Sequence, residues 1–193
     1  MYHFKLLLTF FLLIAGGNAQ ATQFKKPIVS LSFISWKEAV SLQGSGATDK
    51  AKSDLFGLAL GVGIERYWHL RHGYEVDVQL MTGQTGVSSG SNNQVSYQVS
   101  GKNTWWGIGA SARYSYRLSN VISLSLGPLL MDRHTTFSQG QTGSTVEAGP
   151  QVLFGGLAAL RMRLFKGVEL QQTIGTLAGK GSTIWSFGGG YRF

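Results

Sequence analysis

The chain has 193 residues, with 27 glycines, three prolines, no cysteine and a formal net charge of +8. Without cysteine there is neither a disulfide framework nor a thiolate metal site. A basic balance would suit nucleic acid, but the arginines stand singly on strand-like segments, with no basic cluster interleaved with aromatics, so nucleic acid is not an expected partner.

The N-terminus reads as a secretory signal. Lys5 supplies a positive start, Leu6 to Ile14 form a short apolar core, and Ala19-Gln20-Ala21 fits a small-x-small cleavage pattern. Cleavage after Ala19 fits nearly as well. The apolar run is far short of the ~20 residues a spanning helix needs. Residues 1–21 are therefore expected to be removed, and 22–193 to form a single domain.

The rest of the chain falls into runs of period two, the signature of strands. The first, Pro27 to Leu42, alternates Val29, Leu31 and Phe33 with serines and then changes parity at Ile34 and Trp36, which predicts a bulge. The second, Asp54 to Tyr67, sets Phe56, Leu58, Leu60, Val62 and Ile64 against glycines, Ala59 and Glu65. Gly73 to Gly83 follows, and then Thr104 to Leu118, where Trp106, Tyr114 and Tyr116 oppose Arg113 and Arg117. Ile122 to Leu130, Val146 to Leu164 and Val168 to Gly175 continue the pattern, and an eighth strand starts near Thr183.

The connections alternate in length. Trp68 to His72, Ser119-Asn120 and Phe165 to Gly167 are short; Gln43 to Ser53, Gln84 to Asn103 and Asp132 to Ser144 are long and polar, with Ala178 to Ser182 brief. A membrane barrel sorts its links in this way, with turns on one side and loops on the other. In the loop 84–103, Val95, Tyr97 and Val99 alternate with Ser and Gln, which fits either a hairpin above the membrane with an edge open to a protein partner or a disordered surface loop.

The eighth segment is the most specific. Phe187, Gly189, Tyr191 and Phe193 share one face and Gly188, Gly190 and Arg192 the other. This resembles the C-terminal signal of bacterial outer-membrane β-barrels, which is read by the barrel-assembly machinery. Over residues 22–193 the pattern is similar to the family of small barrels that includes the OmpA transmembrane domain, OmpX and OmpW. The resemblance implies an all-β, eight-stranded, antiparallel up-and-down transmembrane barrel in the outer membrane of a Gram-negative bacterium, in contact with membrane lipid and lipopolysaccharide.

A soluble eight-stranded barrel would also alternate. Here, however, the charged face is the small-residue face, which suits a cramped interior. Trp36, Trp68, Trp105, Trp106, Trp185 and several Tyr and Phe near segment ends suit interfacial girdles. The lumen is then expected to hold Glu65, Glu75, Asp77, Glu147 and Glu169 against Arg113, Arg117, Arg133, Arg161, Arg163 and Arg192. In so narrow a space these should pair into a plug, since unpaired buried charge is costly.

Chemistry is sparse. Some small outer-membrane barrels are enzymes that act on lipid A by palmitoyl transfer or 3-O-deacylation. A serine hydrolase needs Ser, His and a carboxylate together. Asp132, His134 and Ser138 at the outer rim are the one candidate set, and Thr136 stands where a deacylase-like pattern would have Ser. His69 and His72 fall in a turn on the opposite side. No metal-ligand spacing and no phosphate-cradling glycine loop is present, so no cofactor is expected. Lys50, Lys52, Lys102, Lys180 and Arg133 are candidates for lipopolysaccharide phosphates. The leading expectation is a non-enzymatic structural or surface-interaction protein. The alternatives are a lipid A-modifying enzyme and, from Met131, Leu153 and Leu157, a narrow channel for small hydrophobic ligands.

Overall fold

The computed structural model describes residues 26–44, 46–87, 95, 97, 103–138, 144–147, 151–178 and 182–193. The expected signal segment, Val99, Lys102 and Lys180 lie outside them. The strands are β1 (Lys26–Gly44), β2 (Ala47–Tyr67), β3 (His72–Val87), β4 (Asn103–Arg117), β5 (Ile122–Thr136), β6 (Thr145–Glu147), β7 (Val152–Phe165), β8 (Val168–Leu177) and β9 (Ser182–Arg192). All pairings are antiparallel. The order β2-β3-β4-β5-β7-β8-β9-β1 closes through β1 on β2, so eight strands form a ring and three-residue β6 rides on β1.

Closure satisfies the backbone groups an open edge would leave bare, which is what lets strands cross lipid. Outside, Leu31, Phe33, Leu58, Leu60, Val62, Leu80, Leu126, Phe154 and Ile174 are exposed, an apolar belt no aqueous protein would leave uncovered. The turn end is tight. Trp68 and Leu118 donate their amides to the carbonyls of His72 and Ile122, and Ser119 Oγ accepts the amides of Val121 and Ile122. Gly167 turns at φ 77°, where a Cβ would sit 2.7 Å from the Arg192 carbonyl oxygen.

Four expectations about the strands are corrected. The segment 43–53 is strand rather than loop: β1 and β2 stay in register to Gly44 opposite Ala47, with Gly46 at φ 77° in the turn. There is no bulge in β1, because its register to β2 and to β9 is unbroken. The parity change is instead a change of which face is apolar: Val29, Leu31 and Phe33 face out, whereas Ile34 and Trp36 are buried inside. The expected strand 146–164 is divided, its first residues forming β6 against β1 and the rest β7. Finally, β5 runs on to Thr136, so Asp132, Arg133 and His134 belong to a strand.

Candidate functional site

The interior is built in layers. Near the turn end, β2, β3, β4, β7, β8 and β9 each project charge inward. Arg113 donates to Glu75 at 2.7 Å and to Asp77 at 2.5 Å. Arg161 reaches Glu75, Glu65 at 3.3 Å and Glu169 at 2.9 Å. Arg192 pairs with Glu65 and, at 2.7 Å, with Glu169. Ser111 and Gln79 donate to Asp77, Tyr67 to Glu65, and Arg161 also to Gln171. Three guanidinium groups thus tie four carboxylates together, all seven residues being buried. Removing one partner of such a pair strands the other charge, at a cost of ~3–5 kcal/mol.

Above this network the interior turns apolar. Ile34, Trp36, Leu55, Met81, Trp105, Met131, Leu153 and Ile184 belong to one buried cluster. Trp36 and Trp105 meet edge to face at 4.7 Å, so these two, expected in the outer girdles, are core residues instead. The Trp105 indole donates to the carbonyls of Phe56 and Gln84 at 3.2 and 3.1 Å. Those carbonyls flank Gly57 and Gly83, which face each other across the sheet. A Cβ on either would come within 2.1 Å of a partner-strand oxygen, so the wall there accepts only glycine.

A second polar layer lies higher. Arg133 pairs with Glu38 at 2.9 Å, and Glu38 accepts the Trp36 indole N–H at 2.7 Å. Glu38 was missed in the sequence because its neighbours Trp36 and Val40 are apolar; their shared parity with it was the available signal. The top is closed by Val40, Leu42, Ala51, Val95 and Tyr97, with Val87, Phe137 and Val146 packed against them. Val95 and Tyr97 are therefore buried and do not form an exposed hairpin face. The Tyr97 hydroxyl donates to the Ser138 carbonyl at 2.6 Å, and Asn103 accepts the Ser138 amide at 2.8 Å.

Three of the expected lumen charges stand outside these buried networks. Glu147 is exposed on β6, accepting from Gln43 at 2.9 Å, because the strand that was to carry it inward is divided. Arg117 and Arg163 sit at the turn-end mouth, half-exposed, one over the Tyr67 ring at 4.1 Å and the other on the Asn120 carbonyl at 3.3 Å. Between the charged layer and the apolar one is a cavity of about 20 Å³ lined by Gln79, Arg113, Thr173 and their apolar neighbours. That is room for about one water.

At the outer rim, His134 Nε2 lies 3.5 Å from Asp132 Oδ1, and its ring stacks on Trp106 at 4.4 Å. Both side chains are on the outward side of β5. Ser138 lies past the strand end, its main chain held by Tyr97 and Asn103. The geometry thus joins the His and the carboxylate, whereas the main chain of Ser138 is tied to the Tyr97–Asn103 cluster. On β9, Phe187 and Tyr191 face outward with Phe193 beyond them, while Arg192 turns in.

No protein-family model matches this sequence, and no curated protein does either. Solved structures do. Ail, the attachment invasion locus protein of Yersinia pestis, is 15% identical with a TM-score of 0.52, the match covering 88% of this chain and 99% of Ail. Ail in complex with the heparin analogue sucrose octasulfate matches at 14% identity and a TM-score of 0.50, over the same shares. OprG of Pseudomonas aeruginosa is 14% identical with a TM-score of 0.51, over 91% of this chain and 99% of OprG. Identities this low speak to architecture alone, and the architecture is that of the small eight-stranded outer-membrane barrels.

Proposed function

We propose that this outer-membrane barrel is a non-enzymatic surface protein with a sealed lumen, whose outer hairpin binds anionic saccharide or lipopolysaccharide phosphate. The filled interior carries the reading. An ion crossing the barrel would meet seven buried charged side chains locked to one another and then a buried apolar layer. The same packing speaks against a channel for small hydrophobic ligands. Above the belt, the β1–β2 hairpin turns Lys37, Lys50 and Lys52 to the outside, with Lys37 3.3 Å from Asp54. Cations on a rigid hairpin suit phosphate or sulfate groups, the class of ligand bound in the Ail complex with sucrose octasulfate.

Two measurements test the reading on refolded protein. In planar bilayers, no sustained conductance is expected; a steady large current would overturn the sealed lumen. On immobilised heparin and on lipopolysaccharide, binding should fall with salt and be lost in K37A/K50A/K52A; full binding by that variant would remove the hairpin as the site.

A second reading, lipid A modification, rests on the His134–Asp132 contact at the outer-leaflet height. Lipid A incubated with folded barrel should keep its mass. A loss or gain of an acyl mass that disappears in His134→Ala would replace the surface-protein reading with an enzyme.

A further inference from the structure

The two ends of the barrel differ in charge. Of the nine acids in the sequence, Asp54, Asp132 and Glu147 are exposed, and all three are toward the loop end. At the turn end Lys26, Arg71 and Lys166 are exposed and Arg66, Arg117 and Arg163 half-exposed, with no exposed acid among the described residues. The acids there, Glu65, Glu75, Asp77 and Glu169, are consumed inside by the buried arginines.

Part of this basic end is on the lipid-facing wall. Arg66 is the direct cross-strand partner of Tyr74, and Tyr74 of Tyr114, so the three form a row across β2, β3 and β4. They share the outward parity of Ile64 and Val62, the apolar belt that continues from them along β2. Trp68, in the turn, packs on Tyr74 at 6.1 Å and on Tyr114 at 6.0 Å. His72, which follows the exposed turn residue Arg71, is bonded through Nδ1 to the Tyr114 hydroxyl, which ties the turn to this row.

From this placement we propose that the β2–β3 turn is a binding site for the headgroup of an anionic phospholipid in the leaflet at the turn end. Arg66 and Arg71 take the phosphodiester, and Trp68 with the two tyrosines lies against the glycerol and ester region. A guanidinium matches phosphate bidentately, and indole and phenol rings settle where hydrocarbon meets headgroup. A soluble acidic protein fits less well, since Arg66 stands on the wall in line with residues that face acyl chains. The proposal rests on the barrel fold alone and is independent of the saccharide-binding reading.

The site can be read through Trp68. Trp36 and Trp105 are buried in the core, so W106F/W185F leaves Trp68 as the one tryptophan open to lipid. That protein, folded as judged by its heat-modifiable gel shift, is placed in phosphatidylcholine vesicles with increasing brominated phosphatidylglycerol or brominated phosphatidylcholine. Quenching of Trp68 should show preference for phosphatidylglycerol of about fivefold per arginine, weakening with salt. The preference should vanish in the R66Q/R71Q background and survive, weakened, in R66K/R71K, which keeps the charge and loses the bidentate fork. Equal quenching by the two lipids, or a preference unchanged by R66Q/R71Q, would overturn the site. Displacement by millimolar glycerol phosphate would overturn the lipid as its source, marking a free-anion site instead.

Discussion

The lower and upper halves of the interior solve the same problem with opposite chemistry. Each must fill a ring of eight strands, which leaves space for side chains but little for water. The lower half uses four carboxylates bound together by three guanidinium groups, and the upper half a cluster around Trp36, Trp105 and Met131. In the lower half each member depends on several partners, Arg161 alone touching Glu65, Glu75 and Glu169. In the upper half the loss of one side chain leaves a void that its neighbours can partly close. The two halves should therefore fail differently: the charged one abruptly, the apolar one by degrees.

The sharpest way to break this contrast is Arg113→Glu, which sets a third acid against Glu75 and Asp77. The loss should exceed ~3–5 kcal/mol, and the heat-modifiable gel shift of the folded barrel should disappear. If Arg113→Glu folds normally and gains a large conductance, the lower layer is a path and not a plug. In the upper half, Leu153→Ala should cost ~2–5 kcal/mol by urea titration in lipid and leave the barrel non-conducting, since the charged layer below still seals it. A leaking Leu153→Ala protein would show that the lower layer does not seal by itself. At the cap, Tyr97→Phe removes the bond to the Ser138 carbonyl and should cost about 1 kcal/mol. Its effect should be confined to faster amide exchange around 103 and 138.

Burial pushes the Tyr97 phenol up, because a phenolate there would lose its solvent, although the Asn103 hydrogen bond acts the other way. Its contribution is therefore fully present below the ordinary tyrosine value of ~10 and is lost as pH rises through the raised one. Amide exchange at the cap should accelerate there in the native protein and show no such step in Tyr97→Phe. The smallest effect belongs to the exposed Lys37–Asp54 pair at 3.3 Å: Lys37→Ala should change stability by less than ~1 kcal/mol, and less again in high salt.

The parts of this molecule that could be read from sequence are those where one physical rule governs each face. Along Phe56 to Ile64 every second residue meets lipid and the others are small, so strand, face and register follow from parity. The lower charges are legible for the same reason, since Arg113, Arg161 and Arg192 interrupt an otherwise small face. Parity misleads where both faces change character together. From Ile34 to Leu42 the strand leaves the membrane, its outward positions become small or polar, and its inward ones, Glu38 apart, become large and apolar. That reversal resembles a bulge when bulk alone is followed. The hairpin tip is harder still. Asp49 and Ser53 point in, Lys50 and Lys52 point out, and no hydrophobic alternation marks the strand. The joining of His134 to Asp132 follows from two residues on one side of β5, which could be seen once β5 was known to extend to Thr136. The row Arg66–Tyr74–Tyr114 needed the three-strand register.

The position of Arg192 has a consequence for assembly order. It lies on β9, the strand that closes the ring between β8 and β1. Its guanidinium joins Glu65 of β2 to Glu169 of β8, two strands that do not touch in the sheet. Until β9 docks, the half-made barrel carries an excess of carboxylate over its inner wall and cannot dry without stranding it. Sealing the sheet and halving that excess, from two carboxylates to one, are one event, so a barrel zipped in the wrong register would keep the larger negative charge inside and would reopen.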